Sequence, residues 1–190
     1  MIPAGYMAKR VCPCPDWLQV GTVVDIYSVS PCLSVDFAHY IPYWRHNGYW
    51  FFNSPETIRT LAEDHSIDLT GTQLFYYEVY EREYDPVSAR WQHFTPEVAL
   101  STEVVIPFQK SLEGYDLVSF SGGSCAECSP LSCNRLAADI PTNQHCLLAS
   151  LQDAQKILEQ GQLQGAEPGP YRIFAVFALP TAGDWFKSSV

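Results

Sequence analysis

The chain has 190 residues, of which 47% are hydrophobic and 17% charged, a composition typical of a protein with a packed apolar core and not of a disordered chain. Lysine and arginine total 11 against 21 aspartate and glutamate, which gives a formal net charge of −10. This charge repels phosphate backbones and no basic cluster offsets it, so we expect no binding to nucleic acid and favour a basic protein partner.

The length predicts one α+β domain over residues 1–190, in which residues 1–17 form an extended or flexible arm and residues 180–190 a C-terminal tail. No stretch approaches the roughly 18 apolar residues that a membrane helix needs. The N-terminus also lacks the apolar run of a secretory signal. We therefore expect a cytoplasmic protein without a membrane partner.

The first elements in chain order are two strands and a helix. The β-branched run QVGTVVDIYSV predicts a strand over residues 19–29, and GYWFFN predicts a second over residues 48–53. Ser54 is a suitable N-cap and Pro55 suits a first helical turn, so a short helix should follow. Its apolar residues recur at helical spacing, which predicts one buried stripe.

A hairpin should come next. The segment QLFYYEVYEREY, residues 73–84, alternates as a long strand, and the turn DPVSAR joins it to RWQHF. Aromatic residues occupy both faces of this strand, and exposed aromatic area often marks a contact surface for another protein. The residues expected to contact a partner are Tyr76, Glu78, Tyr80 and Trp91.

The last third contains two further strands and two helices. YDLVSF predicts a strand over residues 115–120, Ser129 opens a helix through Ala137, and Ser150 opens another that ends at Gly161. The almost wholly apolar run YRIFAVFAL predicts a central, buried strand. The whole pattern indicates a mostly antiparallel sheet with about three short helices packed on it.

The segment SGGSCAECSPLSCN, residues 121–134, carries the main chemical signal of the sequence. A Cys-x-x-Cys turn holds two sulfurs at the separation that a tetrahedral zinc ion requires. The candidate metal ligands, with zinc as the candidate ion, are Cys125, Cys128, Cys133, His145 and Cys146. Seven cysteines, an odd number, without an export signal favour reduced thiols or metal ligands over a disulfide framework.

The same cysteines allow a thiol-based enzyme. A dithiol of Cys125 and Cys128 before a helix N-terminus favours the reactive thiolate, and His145 is the candidate base for a cysteine nucleophile. The order of strand, Cys-x-x-Cys, helix, short strand, helix and then Pro170 before a buried strand resembles part of the thioredoxin fold, over residues 115–179. That resemblance implies thiol–disulfide oxidoreductase activity.

A third interpretation makes the cysteines small apolar core residues, which suits Cys32, Cys133 and Cys146 because each lies near a leucine in the sequence. Since no full catalytic constellation is recognisable, the sequence favours an acidic cytoplasmic protein that binds or neutralises a protein partner, with a zinc site in the cysteine-rich loop as one of the interpretations open for its thiols. The thiol enzyme is the alternative.

Overall fold

The computed structural model describes residues 1–33, 35–36, 47, 49–95, 103–121 and 126–180. The strands are β1 (Ile2–Arg10), β2 (Cys12–Pro13), β3 (Asp25–Ile26), β4 (Val35–Asp36), β5 (Gln73–Asp85), β6 (Arg90–His93), β7 (Ser111–Ser119) and β8 (Tyr171–Ala178). The helices are α1 (Pro55–Asp64), α2 (Pro130–Cys133) and α3 (Leu151–Glu159), with a 3₁₀ turn at Leu136–Ala138.

Six of the described strands form the main sheet, in the order β4-β1-β5-β8-β7 with β6 also paired to β5, while β2 and β3 form a separate pair. Neighbouring strands run antiparallel throughout these pairings. The expected α+β class, with a mostly antiparallel sheet and three short helices, is confirmed. No helix in the described part of the chain is both long and apolar enough to cross a membrane.

The predicted hairpin and the predicted central strand are both present. β5 pairs with β6 across the turn, and β8 lies between β5 and β7. The first six residues of β8, from Tyr171 to Val176, are buried, as their apolar sequence requires of a strand with paired neighbours on both sides. The core formed around these strands includes large aromatic side chains such as Tyr76, Tyr77 and Phe174.

The helix starts follow the capping signals. The Ser54 hydroxyl accepts a hydrogen bond from the Thr57 amide at 3.3 Å, and the Ser150 hydroxyl accepts one from the Asp153 amide at 3.1 Å. The predicted end at Gly161, which has φ +66°, follows the last turn of α3. The helix from Ser129 is shorter than predicted, because Arg135 adopts φ +63° and separates α2 from the 3₁₀ turn.

Residues 1–17, expected to form an extended or flexible arm, contain β1, which lies inside the sheet between β4 and β5. From Ala4 to Lys9 every residue is buried. Burial on both faces removes the apolar–polar alternation that marks a strand in the sequence, and this explains why the element was not predicted. Of the expected C-terminal tail, residues 181–190 lie outside the described residues.

The strand predicted over residues 19–29 is wrong except at Asp25–Ile26. Gln19 has φ +54°, and the segment around it forms turns. The amides of Val24 and Asp25 donate to the Gln144 carbonyl at 2.8 and 3.2 Å. A distant loop therefore satisfies backbone groups that a sheet neighbour would otherwise pair.

The strand predicted over residues 48–53 is also wrong. Residue 48 lies outside the described residues, and of the rest only Phe52 pairs in strand fashion, through a single bridge to Tyr6. The two residues exchange backbone hydrogen bonds of 2.8 and 3.1 Å. The close approach depends on Gly5, because a Cβ atom there would lie 2.6 Å from the Phe52 carbonyl oxygen.

Gly5→Ala should therefore destabilise the fold far more than Gly71→Ala. Both glycines have positive φ, +128° and +75°, but only Gly5 has neighbours within 4 Å of the added methyl. We expect Gly71→Ala to cost about 1 kcal/mol from backbone conformation alone. Gly5→Ala should cost about 3 kcal/mol or more because a clash is added. Urea unfolding measures both, and equal costs would contradict the close packing of Phe52 on β1.

Candidate metal centre

Three cysteines from two distant parts of the chain come together beside the end of β7. The Sγ atoms of Cys32, Cys128 and Cys133 all lie within 4.8 Å of one another. Cys32 is exposed, Cys133 is half-buried and Cys128 is buried. We call this group the cysteine cluster.

The end of β7 and the first turn of α2 position two of these sulfurs. The Ser119 amide, at the end of β7, donates to the Cys128 carbonyl at 2.8 Å, which fixes the chain just before α2. The Cys133 amide donates to the Ser129 carbonyl at 2.9 Å, so Cys133 lies one helical turn beyond Ser129, the residue that follows Cys128. The turn that opens α2 thus brings the sulfurs of Cys128 and Cys133 within 4.8 Å of each other.

Cys32 reaches the cluster from the segment that follows Ser30. Its Sγ atom lies 3.0 Å from the Glu127 carbonyl oxygen, a contact that the protonated thiol makes as donor. Hydrogen bonds donated by the thiols of Cys128 and Cys133 lower the pKa of Cys32 to about 3. These two thiols favour the thiolate form of Cys32, whereas the contact with the Glu127 carbonyl favours its protonated form.

The other two thiols are correspondingly hard to ionise. Hydrogen bonds to Cys133 and Cys32, with burial, raise the pKa of Cys128. For Cys133, the bond from Cys128 lowers the pKa, but its bond to Cys32 and burial raise it by more. The three sulfur atoms form a donor set of the kind that soft metal ions take, and this group of described residues could hold a metal ion.

Two of the five predicted metal ligands, Cys128 and Cys133, are brought together. Cys125 lies outside the described residues. Cys32, interpreted from the sequence as a core residue, is instead exposed and is part of the cluster. Its only local signals are the preceding Ser-Pro turn and its thiol, and neither indicates which distant residues it meets.

His145 has other partners. Its Nδ1 atom lies 2.5 Å from Asp25 Oδ1 and its Nε2 atom 3.6 Å from Glu113 Oε2. The ring stacks on Tyr27 with centroids 4.0 Å apart. The predicted roles of His145 as metal ligand or catalytic base thus stay predictions, while its described contacts tie β3 to β7.

Cys146 is 2% exposed and packs in an apolar cluster with residues such as Leu131 and Leu148. Burial raises its pKa to about 12, so it resists conversion to a metal-binding thiolate. This packing agrees with the core interpretation of Cys146. Cys12 and Cys14, on or next to β2, are free and half-buried, and like Cys146 they lie outside the cysteine cluster.

The four residues expected to contact a partner are mostly engaged within the fold. Tyr76 is 0% exposed, and Lys110 covers its ring while forming an ion pair with Glu78. Trp91 packs edge-on against Tyr80, and its Nε1 atom donates to a carboxylate of α3 at 2.8 Å. Binding of a partner through this strand stays a prediction, for which only the acidic net charge is left as support.

Asp116 of β7 is a buried carboxyl group close to the cluster. Its Oδ2 atom accepts hydrogen bonds from the Val29 amide at 2.7 Å and from the Ser129 hydroxyl at 2.6 Å. Burial outweighs these bonds and raises the pKa of Asp116 from its ordinary 3.8 to about 7. The group thus titrates near neutral pH in the folded protein.

Comparison with protein-family models, curated proteins and solved structures finds no match for this chain. The resemblance of residues 115–179 to part of the thioredoxin fold consequently has no support from a family or from a structural neighbour. The functional argument depends on the geometry of the cysteine cluster.

Asp116 should make the stability of the protein depend on pH. The folded state holds this proton more tightly than the unfolded state, so the free energy of unfolding should fall as the pH rises from about 4 to about 7, and Asp116 adds no further slope above that. The contribution to the slope is at most about 1.4 kcal/mol per pH unit.

Asp116→Asn removes the titration and keeps an acceptor oxygen. Urea unfolding of both proteins across this pH range should show that the wild type loses stability relative to Asp116→Asn as the pH rises. A constant difference would show that Asp116 titrates at the same pH in the folded and unfolded states.

Proposed function

We propose that the protein binds one zinc ion through Cys32, Cys128 and Cys133. The observation that carries this proposal is the approach of the three sulfurs to within 4.8 Å of one another. Sulfurs bound to one zinc ion at about 2.3 Å in tetrahedral geometry are about 3.8 Å apart. A small contraction of the cluster is sufficient to close it around the ion.

The donor set favours a soft ion. Three sulfur ligands select zinc, copper(I) or iron, whereas magnesium and calcium take oxygen ligands. Of these three metals, zinc undergoes no redox change in proteins and binds cysteine thiolates in a tetrahedral site. We therefore propose zinc as the bound ion.

The fourth position decides the role of the metal. Cys125 precedes Cys128 by three residues, and this Cys-x-x-Cys spacing makes it the sequence's candidate for the fourth ligand, although it lies outside the described residues. Four cysteines make a closed structural site that ties the segment of Cys32 to α2. Water in the fourth position makes an open site able to activate that water.

Native mass spectrometry of freshly purified, reductant-treated protein should show one zinc ion per chain, absent from the denatured mass. Chelator should remove the ion, and added zinc should restore it. A chain that stays metal-free when zinc is supplied in excess contradicts the proposal. The cluster is then a set of thiols, and the protein-binding function leads, with the thiol-based enzyme as its alternative.

Serine substitution should identify the ligands. Cys32→Ser, Cys128→Ser and Cys133→Ser should each weaken zinc binding by about 100-fold or more, because hydroxyl is a poor ligand for a soft ion. Cys12→Ser, at a half-buried cysteine of β2 outside the cluster, is the matched control and should bind as the wild type does. Competition with a chromogenic chelator measures all four affinities.

The same assay separates the remaining candidates. Cys125→Ser should lower the affinity if the site is closed by four cysteines and leave it unchanged if water completes it. Cys146→Ser should leave the affinity unchanged, since this buried thiol lies outside the cluster. Loss of binding in Cys12→Ser or Cys146→Ser, with the three cluster variants unaffected, would assign the metal to other cysteines.

A further inference from the structure

The cysteine cluster joins two segments that are far apart in the sequence. Cys32 and Glu127, in contact at the cluster, are separated by 95 positions. Cys32 lies just beyond the buried segment Ser28–Ser30, while Cys128 and Cys133 flank Ser129 at the start of α2. Some interaction other than chain connectivity must hold these two ligand-bearing segments in place.

We infer that Asp116, Ser129 and Lys9 are positioning residues that hold the two ligand-bearing segments together before the metal arrives. This inference rests on the proposed metal binding. None of the three residues supplies a ligand, and each acts through the backbone or side chains of the segments that carry the cysteines.

One oxygen atom of Asp116 bridges the segments. It accepts from the Val29 amide, three residues before Cys32, and from the hydroxyl of Ser129, which follows Cys128. The same Ser129 hydroxyl accepts from the Ser30 amide at 3.3 Å. Carboxylate, hydroxyl and two backbone amides thus form one buried network across the join.

The serine hydroxyl has no role in capping α2. Ser129 occupies the N-cap position, yet its side chain makes no capping hydrogen bond. It is 0% exposed, so water does not replace its partners. The described bonds of this hydroxyl therefore serve the contact with Asp116 and Ser30 and not the helix.

Lys9, a residue of β1, also holds the segment that precedes Cys32. Its ammonium group, on β1, donates to the carbonyls of Ser28, Val29 and Ser30 at 2.6, 2.8 and 3.0 Å. Lys9 is only 2% exposed. Three successive carbonyls directed at one cation leave this segment little conformational freedom.

Burial of these charged groups costs folding free energy, which is explained if they are needed to position the two segments. A buried carboxyl group and a buried ammonium lose their hydration, and apolar residues of similar volume often stabilise a fold as well or better. Metal sites, in contrast, depend on neighbouring groups that orient the ligands, and loss of such a group typically weakens metal binding about 10- to 100-fold. The buried polar network lies where such orientation is needed.

Ser129→Ala tests the inference, with Ser119→Ala as the matched control. Ser119 is also a 0% exposed serine, but its hydroxyl donates to the Pro168 carbonyl and does not join the segments. The backbone amide of Ser119, which bonds the Cys128 carbonyl, is unchanged in Ser119→Ala. We expect Ser129→Ala to weaken zinc binding about 10- to 100-fold, with Ser119→Ala within about 3-fold of wild type. Unfolding in urea establishes that both variants are folded.

The spectrum of the cobalt(II)-substituted protein distinguishes positioning from general loss of stability. Ser129→Ala should reduce the thiolate-to-cobalt charge-transfer absorption, whereas Ser119→Ala should leave it unchanged. Asp116→Asn, which keeps an acceptor oxygen, should retain more affinity than Asp116→Ala. Equal affinities and equal spectra for Ser129→Ala and Ser119→Ala would overturn the inference.

A second probe tests positioning independently of zinc. Phenylarsine oxide condenses with two neighbouring thiols, forming two As–S bonds and releasing one water, with no change in oxidation state. Wild type and Ser119→Ala should capture it faster than Ser129→Ala or Asp116→Ala. If capture follows this order but the wild type binds no zinc, the proposed function fails and the inference stands. Equal capture rates in all four proteins reject the inference.

Discussion

The hydrogen bonds to Asp116 are the interaction on which the rest of this region depends. One buried oxygen atom binds the backbone of the segment before Cys32 and the side chain at the start of α2. Lys9 fixes the first of these segments from β1, a strand separated from β7 in the sheet by β5 and β8. The carboxyl group and the ammonium thus hold one segment from two distant strands.

The sheet supplies the rigid base for this join. β1, β5, β8 and β7 are neighbours in that order, and each pairing links parts of the chain far apart in sequence. Because β8 is buried on both faces through most of its length, the sheet cannot shift without exposing apolar surface. The Ser119 amide of β7 bonds to Cys128, and Lys9 of β1 bonds to the segment before Cys32, so both attachments come from strands of this sheet.

The distribution of charge separates two kinds of acidic group. The sequence has 21 aspartate and glutamate residues and a formal net charge of −10. Asp116 and Glu83 are different, since both are buried; Glu83 accepts from the Arg172 Nε atom at 2.9 Å. Such groups are stable in the core only because hydrogen bonds replace their lost hydration. The first bonds to both segments that carry the cluster cysteines, and the second ties β5 to β8.

The local elements of this protein could be predicted from sequence because their signals are local. Ser54 and Ser150 cap helices through bonds to residues three positions away, and the long strand β5 and the apolar strand β8 carry their own patterns. The Cys-x-x-Cys motif likewise predicted a metal or thiol site in residues 121–134. In each case the physical cause lies within a few residues of the signal.

Only the tertiary structure decided which residues meet. Nothing near Cys32 shows that its sulfur approaches Cys128, and nothing in the β-branched run of residues 19–29 shows that the Gln144 carbonyl replaces a strand neighbour. β1 could not be recognised in the sequence, because a strand buried on both faces lacks the alternation of apolar and polar residues. Sequence patterns report how one segment is solvated, whereas a site built from two segments depends on pairings that only the complete fold determines.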